Sequence, residues 1–153
     1  MSLNWRVRPA EAKDEAEWRR LWKDYCDFYD VSLAPEVTDA LWERIVDAHS
    51  SVYAVVAEDI PGRSSLVGFG NYVLHPYTWG QGVMCHLEDL FVAEAARRKG
   101  AGRSLIEALI KMGYDQGWTR VYWHTHESHE TARSFYEKVT ALDPFVRYVV
   151  HLR

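Results

Sequence analysis

The sequence predicts a mixed α/β fold, a sheet with helices on both faces, and three observations lead there. Apolar residues recur at spacings of three and four in some segments and alternate in others, so helices and strands interleave along the chain. Around residues 84–126 a strand, a helix and a second strand follow one another, the pattern of a right-handed parallel crossover. No repeat, low-complexity tract or Pro/Gly/Ser-rich linker interrupts the 153 residues, so 1–153 is expected to form a single domain.

Trp5 to Arg8 alternates as a short first strand, closed by Pro9. Trp18, Leu21, Trp22, Tyr25 and Phe28 form the apolar stripe of a helix from Asp14 to about Phe28, with Asp14 near its start. After Pro35, Thr38 is expected to cap a second helix carrying Leu41, Trp42, Ile45 and Val46. SVYAVVAED (51–59) and LVGFGNYVLH (66–75) read as strands joined through the turn IPGRSS (60–65) into a hairpin. YTWGQG (77–82) is a loop before the strand MCHLEDLFV (84–92). SLIEALIKMGYDQG reads as a helix that Gly113 or Gly117 ends. VYWHTH (121–126) is a strand, HETARSFYEKV (129–139) a short helix and FVRYVVHL (145–152) a last strand. The expected order is β-α-α-β-β-β-α-β-α-β.

With 48% hydrophobic and 26% charged residues, the chain has enough apolar material for a core. Its formal net charge is −4 with no basic tail, which argues against nucleic acid as a partner. No apolar run approaches membrane-spanning length and the first residues lack a signal-like apolar stretch, so no membrane association is expected and the cytoplasm is the expected location. Cys26 and Cys85 form no C-x-x-C pair and read as free thiols.

The most informative stretch is LFVAEAARRKGAGRSL (90–105), where a strand enters a basic, glycine-containing turn that opens into a helix. Unpaired N–H groups and the helix dipole favour an anion at such a start. Gly100 and Gly102 remove side chains that would hold a phosphate away, and Arg97, Arg98, Lys99 and Arg103 add positive charge, so the turn suits a pyrophosphate. A P-loop would need G-x-x-x-x-G-K-[ST], and a dinucleotide fingerprint would need a third glycine; neither is present.

Arg97-x-x-Gly100-x-Gly102 after Leu90-Phe91-Val92 resembles the acetyl-CoA motif of the GNAT superfamily, and ARSFYEK (132–138) resembles the helix that carries that family's tyrosine. HLEDLFV (86–92) after the TWGQG loop is similar to the spermidine/spermine acetyltransferases. VYWHTHESHETA (121–132) is similar to the yeast histone and polyamine acetyltransferase branch. The resemblance spans nearly the whole chain. It implies the GNAT-like acyl-CoA N-acyltransferase fold, acetyl-CoA as acetyl donor, an amine acceptor, direct transfer in a ternary complex and a homodimer. Leu90, Phe91, Val92, Arg97, Arg98, Lys99, Gly100, Ala101, Gly102, Arg103 and Ser104 would hold the cofactor. His129 stands where the family often has a cofactor-binding asparagine, and Thr140-Ala141 replaces the usual Gly-Phe.

Transfer to an amine requires a neutral nucleophile, a stabilised thioester oxygen and a proton for the departing sulfur. Glu88 is the candidate base, with Asp89 expected on the opposite strand face. Tyr136 is the candidate acid, and backbone N–H groups of Leu90 to Val92 would serve the thioester carbonyl and the pantetheine arm. Asp27, Tyr29, Asp30 and Trp79 are candidate contacts for a cationic acceptor, supported by the acidic and aromatic run DYCDFYD (24–30) and Glu36. His124, His126 and His129 lack a Cys or carboxylate to complete a metal set, so no metal is expected. Cys85 reads as a buried thiol rather than an acyl carrier. The acceptor is expected to be a polyamine or an amino-acid-like amine. A peptide lysine or N-terminus is the alternative, and an acyl-CoA-binding module without turnover is the alternative of another class.

Overall fold

The computed structural model describes residues 5–60 and 65–153, so most of the turn expected at 60–65 lies outside the described residues. Contacts gather into two units, one ending at Trp123 and the other starting at His124. The first holds β1 (Trp5–Pro9), α1 (Glu15–Phe28), α2 (Pro35–Val46), β2 (Val52–Asp59), β3 (Leu66–Pro76), β4 (Val83–Val92), α3 (Ala101–Gln116) and β5 (Arg120–Tyr122). The second holds α4 (Glu130–Glu137).

The sheet runs β1-β2-β3-β4-β5, antiparallel through β4 and parallel between β4 and β5. The mixed sheet, the β2–β3 hairpin and the parallel crossover therefore match the expectation. Alternation along β3 sends Phe69 and Asn71 toward α1 and leaves Gly68 and Gly70 on the side of α3. On the first face Trp18, Leu21, Trp22, Trp42 and Ile45 pack over Val56, Phe69 and Phe91. Trp18 and Trp22 stack at 5.6 Å, so part of the tryptophan content serves the core. On the other face Leu105, Ile106 and Leu109 are fully buried. A Cβ on Gly68 would lie 2.7 Å from the Phe91 carbonyl oxygen, so a side chain there would collide with backbone of β4. Gly117, with φ of 74°, ends α3. Among the described residues no helix is long and apolar enough to cross a membrane.

Asp14 stands at the start of α1 as expected, and its carboxylate accepts two 2.8 Å bonds from Arg8 and one from the Glu11 N–H. Three local expectations are corrected. Thr38 does not cap α2 but lies inside it, accepting a 3.1 Å bond from Trp22 Nε1, because the helix opens at Pro35, as proline suits a first helical turn. β5 stops at Tyr122 rather than His126. The segment 145–152 is no strand, since alternation becomes a strand only where a neighbouring backbone pairs with it and the sheet holds five strands among the described residues.

Arg8 ties β1 to β2 and to the entry of α1. It bonds Asp14 in bidentate fashion and lies 3.4 Å from Glu58, which also receives Arg6 at 2.6 Å. Burial raises the proton affinity of Asp14, but bonds from Arg8 and the Glu11 N–H outweigh it and hold the carboxyl below its usual range. Arg6 and Arg8 hold Glu58 low as well. Both carboxyls are thus charged above the ordinary range near about pH 4, and their contribution to stability is lost as pH falls through their lowered values. Arg8→Met leaves the buried Asp14 carboxylate without its cation, while Glu58 keeps Arg6, and is expected to destabilise the fold by about 3–5 kcal/mol at neutral pH. Urea unfolding measures it, and a loss that shrinks on acidification identifies the carboxylates as the cause.

Candidate functional site

The first element of the site is a backbone edge. β5 pairs with β4 only from Met84 to His86, so from Leu87 to Val92 that side of β4 carries no strand among the described residues. The parted edge offers amide groups to an extended ligand as a further strand would.

A bulge sits in the same stretch. Asn71 faces Asp89 and Tyr72 faces Leu87, which leaves Glu88 as the extra residue. Asp89 and His86 oppose Asn71 and Val73, which share one face of β3, so both project toward the α1 side. Glu88 lies with them, its Oε1 3.1 Å from His86 Nδ1. Both carboxylates therefore reach one side of β4. The expected opposition of Asp89 to Glu88 is corrected, because the inserted residue resets the alternation. The His86 ring stacks on Tyr122 at 4.6 Å, and the Tyr122 hydroxyl lies 2.7 Å from His75 Nε2.

Glu88 is the more exposed of the two carboxylates. Asp89 ends a chain that the sequence reading missed: Trp18 Nε1 donates to Asn71 Oδ1 at 3.2 Å, Asn71 Nδ2 donates to Asp89 Oδ2 at 3.1 Å, and the Tyr25 hydroxyl donates to Asp89 Oδ1 at 2.8 Å. Burial raises the proton affinity of Asp89 despite these two bonds. Asn71 was the available signal, a polar amide within an apolar strand, since buried polar groups require partners.

At the end of β4 the chain turns through Glu94–Ala96 into α3. Arg98 has φ of 62° and Gly100, the residue before α3, has φ of 93°. Nothing lies within 4 Å of where a Gly100 Cβ would be, so space is open before the first N–H groups of α3. Trp5 Nε1 donates to the Lys99 carbonyl at 3.2 Å, and Arg103 pairs with Glu107 at 2.7 Å. Arg97 turns elsewhere: its Nε donates to the Val92 carbonyl at 2.8 Å, and its guanidinium lies 5.3 Å from the rings of both Phe28 and Phe91.

The candidate acceptor contacts do not form one group. Tyr29 lies close enough to Asp89 and Arg97 to feel both, whereas Trp79, 88% exposed, lies in the loop before the Val83 end of β4. Asp27 pairs with Lys23 on its own helix at 2.7 Å, and Asp30 follows with φ of 53°. Cys85 is fully buried, and burial pushes its thiol up to about 12, which removes the thiolate a nucleophile needs. In the second unit His129 precedes α4, His126 Nδ1 lies 2.6 Å from Ser128 Oγ, and the Phe135 and Tyr136 rings lie 5.3 Å apart. Among the described residues no three His, Cys, Asp or Glu side chains group as metal ligands.

A strand with an open edge that leads to the start of a helix offers backbone groups to an extended ligand and N–H groups to an anion. The chain belongs to the Acetyltransferase (GNAT) family, whose profile matches residues 18–140, and it is an N-acetyltransferase of that type. It is 34% identical over 133 residues to the D-amino-acid N-acetyltransferase HPA3 of Saccharomyces cerevisiae, covering 87% of this chain and 82% of the yeast protein. A solved probable acetyltransferase shares the fold at a TM-score of 0.85 with 21% identity, covering 97% and 98% of the two chains. AAC(6')-Iy in complex with the bisubstrate analogue CoA-S-monomethyl-acetylneamine shares it at 0.81 with 18% identity, covering 97% and 98%.

Proposed function

We propose that the protein moves an acetyl group from acetyl-CoA directly to a primary amine of a small molecule, a polyamine or an amino-acid-like amine, within a ternary complex. The observation that carries this reading is the open edge of β4 from Leu87 to Val92, which leads to the turn before α3. Backbone groups of Leu90, Phe91 and Val92 pair with the pantetheine arm and hold the thioester oxygen as it gains charge. The diphosphate takes the N–H groups from Arg97 to Ser104, with charge from Arg98, Lys99 and Arg103. His129 adds a contact from the start of α4.

Near neutral pH an alkyl amine is mostly protonated, since its pKa is about 10 by analogy with lysine. Glu88 removes the proton, directly or through water, and the nitrogen attacks the thioester carbon. The C–S bond then breaks and Tyr136 supplies the proton to sulfur. The name of the yeast relative supports an amino-acid-like acceptor. Buried free thiols at Cys26 and Cys85 suit the reducing cytoplasm. In this reading the protein is a homodimer. Phe145, Val146, Tyr148, Val150 and Leu152 are each 75–91% exposed, an apolar segment that a second copy would cover.

Thiol release from acetyl-CoA, measured across polyamines, amino acids and basic peptides, tests the reading. Turnover with a small amine supports it. Turnover with peptides alone transfers the activity to protein acceptors, and coenzyme binding without turnover on any amine leaves a binding module.

A further inference from the structure

We infer that Arg97 reads a carboxylate on the acceptor, so that the preferred substrate is an amino acid rather than a bare amine; this rests on the acetyl-transfer reading and narrows its substrate class. The guanidinium is fixed at three points: Phe28 at the end of α1, Phe91 on β4, and the Val92 carbonyl that accepts from Nε at 2.8 Å. Among the described residues Nε makes its one side-chain hydrogen bond and no carboxylate pairs with it, which leaves the Nη edge for a ligand. A planar cation held between two ring faces loses little freedom on binding, and its parallel N–H bonds match the two oxygens of a carboxylate.

The place of this cation indicates what it meets. Phe91 opposes Phe69, whose side chain packs under α1, so Arg97 is turned to the face that Asp89 and Glu88 also reach. Asp89 lies two residues before Phe91, about 7 Å along the strand. Tyr29 registers both charges: beyond the effect of burial, Asp89 makes its phenol harder to ionise and Arg97 makes it easier. One face of β4 thus carries carboxylates and then a cation, complementary to an acceptor with an ammonium beside a carboxylate. A polyamine would bring a second positive charge toward Arg97 and meet repulsion.

The test compares an α-amino acid with its own carboxamide, which keeps the amine and side chain and lacks the negative charge. In thiol release with acetyl-CoA, the wild-type protein is expected to favour the acid by about tenfold or more in kcat/KM. Arg97→Gln is expected to bring the acid-to-amide ratio to about one, and Arg97→Lys, which keeps charge without the fork, to an intermediate ratio. Equal use of acid and amide by the wild type overturns the assignment without any variant. So does an Arg97→Gln protein that keeps the ratio while its Kd for coenzyme A rises, which returns Arg97 to the diphosphate. Calorimetric titration of the same pair into the coenzyme A-loaded protein separates the two readings. Preferential binding of the acid that depends on Arg97, without turnover of any amine, keeps the carboxylate site and removes the acetyl-transfer reading. Absence of that preference removes the carboxylate site.

Discussion

Glu88→Gln is expected to lower kcat by about 10²–10⁴-fold while the Kd for coenzyme A stays within about twofold, the range for loss of a general base that leaves binding intact. Glutamine keeps the length of the side chain and an oxygen for the His86 contact at 3.1 Å, but it cannot take a proton. The bulge gives this position its weight, because an inserted residue brings Glu88 and Asp89 to the same side of β4. The two carboxylates are nonetheless unequal. Both oxygens of Asp89 accept bonds, from Tyr25 and Asn71, while Glu88 has His86 beside it and is half exposed. Single-turnover measurement at saturating amine isolates the chemical step. If Glu88→Gln keeps near-normal turnover and Asp89→Asn loses it with its stability intact, the base is Asp89.

The elements that were legible in the sequence are those whose signal is local. The stripe Trp18, Leu21, Trp22, Tyr25 marked α1 because a helix writes its buried face at intervals of three and four. The turn at 97–104 was legible because a positive φ favours glycine, and Gly100 adopts one at the entry to α3. What escaped depends on residues far apart in the chain. Strict alternation sent Asp89 away from Glu88, and only its pairing with Asn71 shows that one residue is inserted. The charge cluster at the turn hid a difference between its members. Arg97 is drawn out by Phe28, 69 positions earlier, and by Phe91, a partnership that no spacing rule encodes. Residues 145–152 alternate well but have no neighbouring strand, so composition alone overstated them.

Tyr136→Phe is expected to reduce kcat by about 10²-fold or more with little change in the Kd for coenzyme A. Phenylalanine preserves the ring beside Phe135, 5.3 Å away, so the change removes a hydroxyl rather than a packing element. A thiol has a pKa near about 8.5, so sulfur departs as an anion of moderate stability and gains from a proton delivered as the C–S bond lengthens. The same reasoning gives a control that a structural role would not produce. Acetyl thioesters with more acidic thiols need the proton less, so the ratio of wild-type to Tyr136→Phe rates should fall as the leaving thiol becomes more acidic. A deficit that stays constant across such a series would mean that the hydroxyl orders the site without protonating sulfur, and full turnover by the variant would remove Tyr136 from the chemistry altogether.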